Sequence, residues 1–289
     1  MATAGEWLEG ARLRTLPAAI APVLVGTGAA AQVDGAHTGR ALLAAGVALA
    51  LQVAVNFAND YSDGVRGTDA QRVGPLRLTA SGAARPGQVK GAAFASFGVA
   101  AVLGLALVAL SGHWWLLAVG AAAIAAAWYY TGGRHPYGYL GLGEVGVFVF
   151  FGLVAVLGTT YTQAGVVTWS AGLGATGVGL LACALLMVNN IRDVPGDALA
   201  GKRTLAVRFG ERRARRIYVW LLGLALVAGA ACAVEAAGAL LVLLVAPGAV
   251  VLAITVLAGA RGVLLRPVLA GTGLLELGYG VLLGLGLAV

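Results

Sequence analysis

The chain has 289 residues, of which 60% are hydrophobic and only 11% charged, with a formal net charge of +7. Soluble domains carry about 25% charged residues, so this composition excludes a water-facing globule, and a mean hydropathy of +0.90 points to the bilayer as solvent. The 45 glycines follow no Gly-X-Y period; collagen is excluded, and they read as close-packing positions between membrane helices.

The start, MATAGEWLEGARLRT, is polar and carries Glu6 and Glu9, so it does not read as a cleavable signal. A spanning helix needs roughly 20 mostly apolar residues to cross about 30 Å of hydrocarbon. Nine segments qualify, near 15–32, 41–58, 91–110, 113–131, 143–161, 168–190, 215–234, 238–259 and 270–289. The expectation is an all-α polytopic membrane protein, one transmembrane domain over 1–289. With the N-terminus in the cytoplasm and the C-terminus outside, 18 of the 19 basic residues fall on the cytoplasmic side, leaving only Arg40 outside. The positive-inside rule predicts that bias. Topology therefore explains the net charge, and no nucleic-acid partner is required. The cluster Arg212, Arg213, Arg215 and Arg216 can hold anionic lipid headgroups. Cys183 and Cys232 lie in apolar runs, and the three histidines are scattered, so no zinc site is readable.

Two cytoplasmic loops, about 59–90 and 190–213, hold five of the six aspartates. The first, NFANDYSDGVRGTD, supplies Asp60, Asp63 and Asp69; the second, NNIRDVPGDALAGKRTL, supplies Asp193 and Asp197. Four spans separate the loops, so both open on one face. Spacings of three and four put paired carboxylates on one side of a helix, although Pro195 and Gly196 are expected to break the second helix. Facing acidic clusters repel and raise one another's pKa. A divalent cation relieves this, and oxygen-only ligands favour Mg²⁺, commonly shared with substrate phosphates. Asp60, Asp63, Asp193 and Asp197 are the candidate metal ligands. Asn56, Asn59, Asn189 and Asn190 flank them as candidate substrate contacts. Arg66 and Lys202, with Arg72 and Arg77 nearby, are candidate cationic donors to a diphosphate.

These motifs resemble the UbiA superfamily of intramembrane prenyltransferases: Asn59-Asp60-x-x-Asp63 with Asp69 beyond, then Asp193-x-x-x-Asp197. Asp69 comes two residues later than in the commonest family pattern. The resemblance implies nine helices around a central cavity opening to the cytoplasmic face of the cell membrane. ARLRTLPAAIAPVLVGTG, NFANDYSDGVRGTD, YTGGRHPYGYLGLGEVGVFVFFG and GKRTLAVRFG are similar to the branch acting on 1,4-dihydroxy-2-naphthoate. That implies two substrates, polyprenyl diphosphate and the naphthoate, with loss of CO₂ and Mg²⁺ as cofactor. It also makes Arg14, at the start of the first span, a candidate for the acceptor's carboxylate. No obligate protein partner is evident.

An allylic cation would need apolar and aromatic walls. Trp128, Tyr129, Tyr130, Tyr137, Tyr139, Phe148, Phe150 and Phe151 are candidates. Glu144 is expected near the cavity, and Glu276 as a cap or a partner of Arg266. Three other readings stay open: a superfamily member with a different acceptor, a CDP-alcohol phosphotransferase and a cation-coupled transporter. The second lacks its DGxxAR pattern here. The third normally places charge at the bilayer midplane, where these spans have almost none.

Overall fold

The structure is a computed structural model describing residues 2–68 and 76–289, and it is all-helical among them, with no strand. Asp69 and Arg72 lie outside the described residues. The chain opens with α1 (Ala4–Ala11), capped by Thr3 and Glu6 in a reciprocal capping box. Arg12 then turns in the left-handed region, φ 54°. A single 3₁₀ turn, Leu13–Thr15, leads into α2 (Leu16–Ala31). Helices α3 (Thr38–Arg66) and α4 (Pro86–Ser111) pack along each other. They end at Gly67 and Gly112, both at positive φ, the usual way to stop a helix without a Cβ clash.

Eight helices among the described residues are long and apolar enough to cross a membrane. The expected fourth span, 113–131, is instead the 14-residue α5 (Leu116–Tyr129), about 21 Å at 1.5 Å per residue. Its start lies near the end of α4. Just past its end, Thr131 reaches Asn59 of α3, so α5 still carries the chain from one end of the bundle to the other. Among the described residues, eight long apolar helices thus stand where nine spans were expected, and α5 is shorter than the roughly 20 residues a span needs.

Helix α6 (Gly143–Val147) runs through a π-helical stretch, Phe148–Val154, into α7 (Ala155–Ala164) as one continuous rod. Helix α8 (Trp169–Leu199) does not break at Pro195 and Gly196 as the sequence suggested. Pro195 sits in the last turns, where the missing N–H costs a single ladder bond. The remainder comprises α9 (Leu205–Phe209), α10 (Glu211–Ala231), a 3₁₀ stretch Ala237–Val245 continuing into α11 (Ala246–Leu257), and α12 (Leu265–Ala288).

Arg40, the basic residue expected outside, binds the last carbonyls of two helices. Its Nη2 donates to Leu110 O at 2.7 Å and its Nη1 to Thr162 O at 3.1 Å. Helix C-termini carry unpaired carbonyls and partial negative charge, so this arginine has a structural reason to sit away from the others.

One apolar core joins α8, α10 and α12 around Leu181, Met187, Tyr218 and Leu283; a second joins α1, α3 and α4 around Phe57, Leu78 and Val89. Both cysteines are buried and free. Glu276 lies inside the first region, fully buried, and neither oxygen has a hydrogen-bond partner among the described residues. Its expected pairing with Arg266 is not formed, because α12 turns that carboxyl into the bundle.

Helices α2 and α12 meet backbone to backbone: a Cβ on Gly284 would lie 2.6 Å from Leu24 O, and one on Gly280 2.7 Å from Ala21 Cα. Small residues permit that approach, and dispersion at close range replaces hydrophobic drive in lipid. Gly284→Leu should therefore lower the thermal midpoint in detergent by several degrees. Gly223→Ala, where a Cβ meets nothing within 4 Å, should leave it unchanged or raise it slightly. Equal midpoints for the two variants would show that the α2–α12 seam contributes little.

Candidate active site

A cavity of ≈ 1510 Å³ lies between the two cores, and its walls come from α2, α3, α4, α5, α7 and α8. One end is polar. Asp63, on the last turns of α3, faces this end and is almost fully buried. Its Oδ1 accepts from Tyr139 Oη at 2.6 Å, and its Oδ2 accepts from Lys202 Nζ at 3.2 Å, with Arg77 Nη2 at 3.9 Å. Lys202 also lies 4.7 Å above the Tyr139 ring, and Arg66 lies 5.4 Å from it. Burial, and then the Asp63 charge, push the Tyr139 phenol well up, so it remains a proton donor. Burial pushes Tyr137 up to about 12.

The opposite wall is α8. Because the helix continues through Pro195, Asp193 and Asp197 share its cavity face, and both line the cavity with Asn189 and Asn190. Arg192 grips Asp193 bidentately at 2.7 Å and reaches Asn189 Oδ1 at 2.8 Å. Asn190 Nδ2 donates to Glu144 Oε1 at 3.1 Å. Glu144 thus approaches the site from behind, as a support for Asn190.

Other expected residues fall into place differently. Asp60 is fully buried and does not line the cavity; its two oxygens accept from the backbone N–H groups of Leu78 and Thr79 at 2.8 and 2.9 Å. It ties the segment that carries Arg77 onto α3. Asn59 lines the cavity and accepts from Thr131 Oγ1 at 2.8 Å. The Arg66 guanidinium donates to the carbonyls of Thr131 and Gly133, capping the end of the α5 segment. Arg14 lines the cavity but is exposed. Of the aromatic set, Tyr130, Tyr137, Tyr139, Phe150 and Phe151 line the cavity. Trp128 packs instead against Tyr61 and Phe94, and Phe148 against Gly179.

Sequence reasoning missed Gln52 and Arg12, which both line the cavity. The signal was present: Gln52 is a lone amide in the apolar run ALLAAGVALALQVAV, and polar groups at that depth are costly and often functional.

Among the described residues no three Asp, Glu, His or Cys side chains converge as a preformed cage. The donors are instead all oxygen and split between two walls, Asp63 on one and Asp193 with Asp197 on the other. Mg²⁺ commonly takes one or two carboxylates and completes its shell with phosphate and water. The donor set therefore fits Mg²⁺ shared with a diphosphate.

The profile of the UbiA prenyltransferase family matches residues 19–266. The chain belongs to the UbiA prenyltransferase family. It is 52% identical over 274 residues to a 1,4-dihydroxy-2-naphthoate octaprenyltransferase of Mycobacterium tuberculosis, covering 95% of this chain and 94% of that one. A protein of the same name from Escherichia coli is 43% identical over 222 residues, covering 75% of this chain and 72% of the relative. The fold is similar to that of a UbiA homologue from Aeropyrum pernix, with a TM-score of 0.69 at 16% identity, covering 93% and 96% of the two chains. A UbiA homologue from Archaeoglobus fulgidus bound to GPP and Mg²⁺ matches with a TM-score of 0.64 at 15% identity, covering 96% and 99%.

The two aspartates of the first family motif should behave differently on substitution. Asp60→Asn keeps one acceptor oxygen but turns an amide donor against the other backbone N–H, and should cost about 1–3 kcal/mol of stability, with faster proteolysis near residues 76–85. Asp63→Asn should lose metal-dependent diphosphate binding, because its carboxylate faces the cavity, and should also lower the thermal midpoint by unpairing Lys202 and Arg77. An Asp60→Asn protein that is fully stable yet blind to metal would make Asp60 a direct ligand instead.

Proposed function

We propose that this chain transfers a polyprenyl group from a polyprenyl diphosphate to 1,4-dihydroxy-2-naphthoate, releasing diphosphate and CO₂, as a step in menaquinone synthesis. One observation carries the reading: two aspartate walls, interleaved with Lys202 and Arg77, close the polar end of a long apolar cavity. The names of the relatives that match across most of the chain support the naphthoate as acceptor.

The allylic C–O bond breaks with its electron pair going to the diphosphate. The acceptor ring carbon that bears the carboxylate then bonds to the allylic carbon, and the carboxylate departs from that same carbon as CO₂, its electron pair restoring the aromatic ring. When bound, Mg²⁺ supplies positive charge to the leaving diphosphate, held by Asp63, Asp193 and Asp197. Lys202 and Arg77 stand within reach of Asp63 and add fixed cationic donors for the phosphate oxygens. Tyr139 holds Asp63 in one orientation through a short hydrogen bond.

Beyond the polar end, Val23, Leu51, Leu107, Val108, Leu116 and Val154 line the cavity. That surface suits a prenyl tail and excludes the water that would quench a carbocation. Phe150 and Phe151 add aromatic faces there, which stabilise a passing cation.

In detergent, purified protein should convert 1,4-dihydroxy-2-naphthoate and geranyl diphosphate to the prenylated, decarboxylated product. EDTA should abolish turnover, and Asp193→Asn should reduce it by at least about 100-fold, on the scale of losing a charge-stabilising group. Turnover only with another aromatic acid would keep the family chemistry and discard the naphthoate. No metal-dependent turnover with any acceptor would discard the enzyme reading.

The basic bias also supports placing the aspartate end in the cytoplasm. A single cysteine at Ser81, in a background lacking Cys183 and Cys232, should react with a membrane-impermeant maleimide only after cells are opened. Labelling of intact cells would invert the topology.

A further inference from the structure

A second polar ledge lines the same cavity, deeper than the aspartates and unused by the diphosphate chemistry. Gln52 lies eleven residues before Asp63 on α3, about 16 Å along the helix. That leaves room for a metal-bound diphosphate followed by a bicyclic ring. The ledge consists of Gln52 and Asn56 on α3 and of Arg12 and Thr15 on the turn between α1 and α2. All four line the cavity.

Hydrogen-bond accounting fixes the polarity of this ledge. Thr15 Oγ1 has one proton and donates it to Arg12 O at 2.9 Å. It must therefore accept from both amides, from Gln52 Nε2 at 3.0 Å and from Asn56 Nδ2 at 3.0 Å. Asn56 Nδ2 also donates to Ala11 O at 2.9 Å, which spends its second proton. Gln52 Nε2 directs its second proton to Asn56 Oδ1 at 3.4 Å. Neither amide can be flipped without losing these bonds. Gln52 Oε1 is left as an obligate acceptor, buried and with no partner among the described residues. Leaving such an atom unpaired is costly.

Arg12 presents the complementary vacancy. Its Nη2 is buried and likewise has no hydrogen-bond partner. Its backbone is held in the left-handed region, which is rare for a residue with a side chain and is held here by the Thr15 network. The ledge thus holds one unpaired acceptor and one unpaired cationic donor on residues that line the cavity wall, where a polar ligand would satisfy both.

We propose that this ledge is the acceptor subsite: Gln52 Oε1 accepts from a ring hydroxyl and Arg12 Nη2 donates to the carboxylate of a hydroxylated aromatic acid. This rests on the prenyltransferase reading and deepens it by naming the groups that choose the acceptor. A prenyl diphosphate satisfies neither requirement, because its tail has no donor and its phosphates are committed to the aspartate end. The two groups select jointly, so an acid without the hydroxyl, or a diol without the acid, leaves one buried atom unpaired.

The test measures binding to the full-length protein in detergent, anaerobically and without diphosphate. The ligands are 1,4-dihydroxy-2-naphthoate, 1,4-naphthalenediol and 1,4-dimethoxy-2-naphthoate. Wild type should bind each incomplete analogue about tenfold or more weakly, the scale of one lost buried hydrogen bond. Arg12→Gln should erase the preference for the acid over the diol. Gln52→Met should erase the preference for the hydroxylated over the methoxylated acid. KM for geranyl diphosphate should stay at the wild-type value in both, which also certifies folding. The dimethoxy comparison on wild type tests the hydroxyl contact even where Gln52→Met loosens the turn. Preferences that survive in both variants, with wild-type turnover of the naphthoate intact, would overturn the ledge assignment alone. A wild-type protein that neither binds nor prenylates the naphthoate would remove the acceptor reading and this assignment together.

Discussion

The carboxylate of Asp63 gathers the polar end of the molecule. It is fixed on α3, and the Tyr139 hydroxyl, the Lys202 ammonium and the Arg77 guanidinium converge on it from three other stretches of chain. Such a buried charge is tolerable only when paired and hydrogen-bonded. The connection after α5, the connection after α8 and the segment before α4 are therefore drawn to one point. Asp60, one turn earlier, pins the Arg77 segment through its backbone, so the two aspartates of one motif divide the work. One holds the loop, and the other faces the cavity.

The walls of the cavity are unequal for a physical reason. Glycines let α2 and α12 close on each other without side chains between them, and α8 is buried among α2, α10 and α12. On the far side, α5 packs on α3 and α4 but buries none of its residues. It is a single layer of small side chains between cavity and lipid. A bilayer rewards no burial of apolar surface against itself, so a thin wall costs little, and an apolar tail meets a similar environment on either side of it.

Much of this was legible from residues alone. Spans rich in Ala and Leu announce a membrane protein because desolvating a backbone in lipid demands helices. The facing of the two aspartate clusters follows from the count of spans between them. Aspartates four apart lie on one helix face, and α8 keeps Asp193 and Asp197 so because it runs on through Pro195. The length of α5 was harder to see, because the apolar run continues past both its ends while the helix does not. Gln52 was visible as a lone amide, but its meaning needed Thr15, 37 residues away in the chain.

The sequence by itself determined the class of solvent, the helical architecture, the oxygen-rich polar end and the two motifs that carry the family. Each depends on composition or on spacing within one helix, which local chemistry dictates. Only the tertiary structure separated Asp60 from Asp63, set Glu144 behind Asn190, and left the buried Glu276 carboxyl, Gln52 Oε1 and Arg12 Nη2 without hydrogen-bond partners among the described residues. Those outcomes depend on which distant segments the fold brings against each side chain. Pattern along one helix carries no information about that.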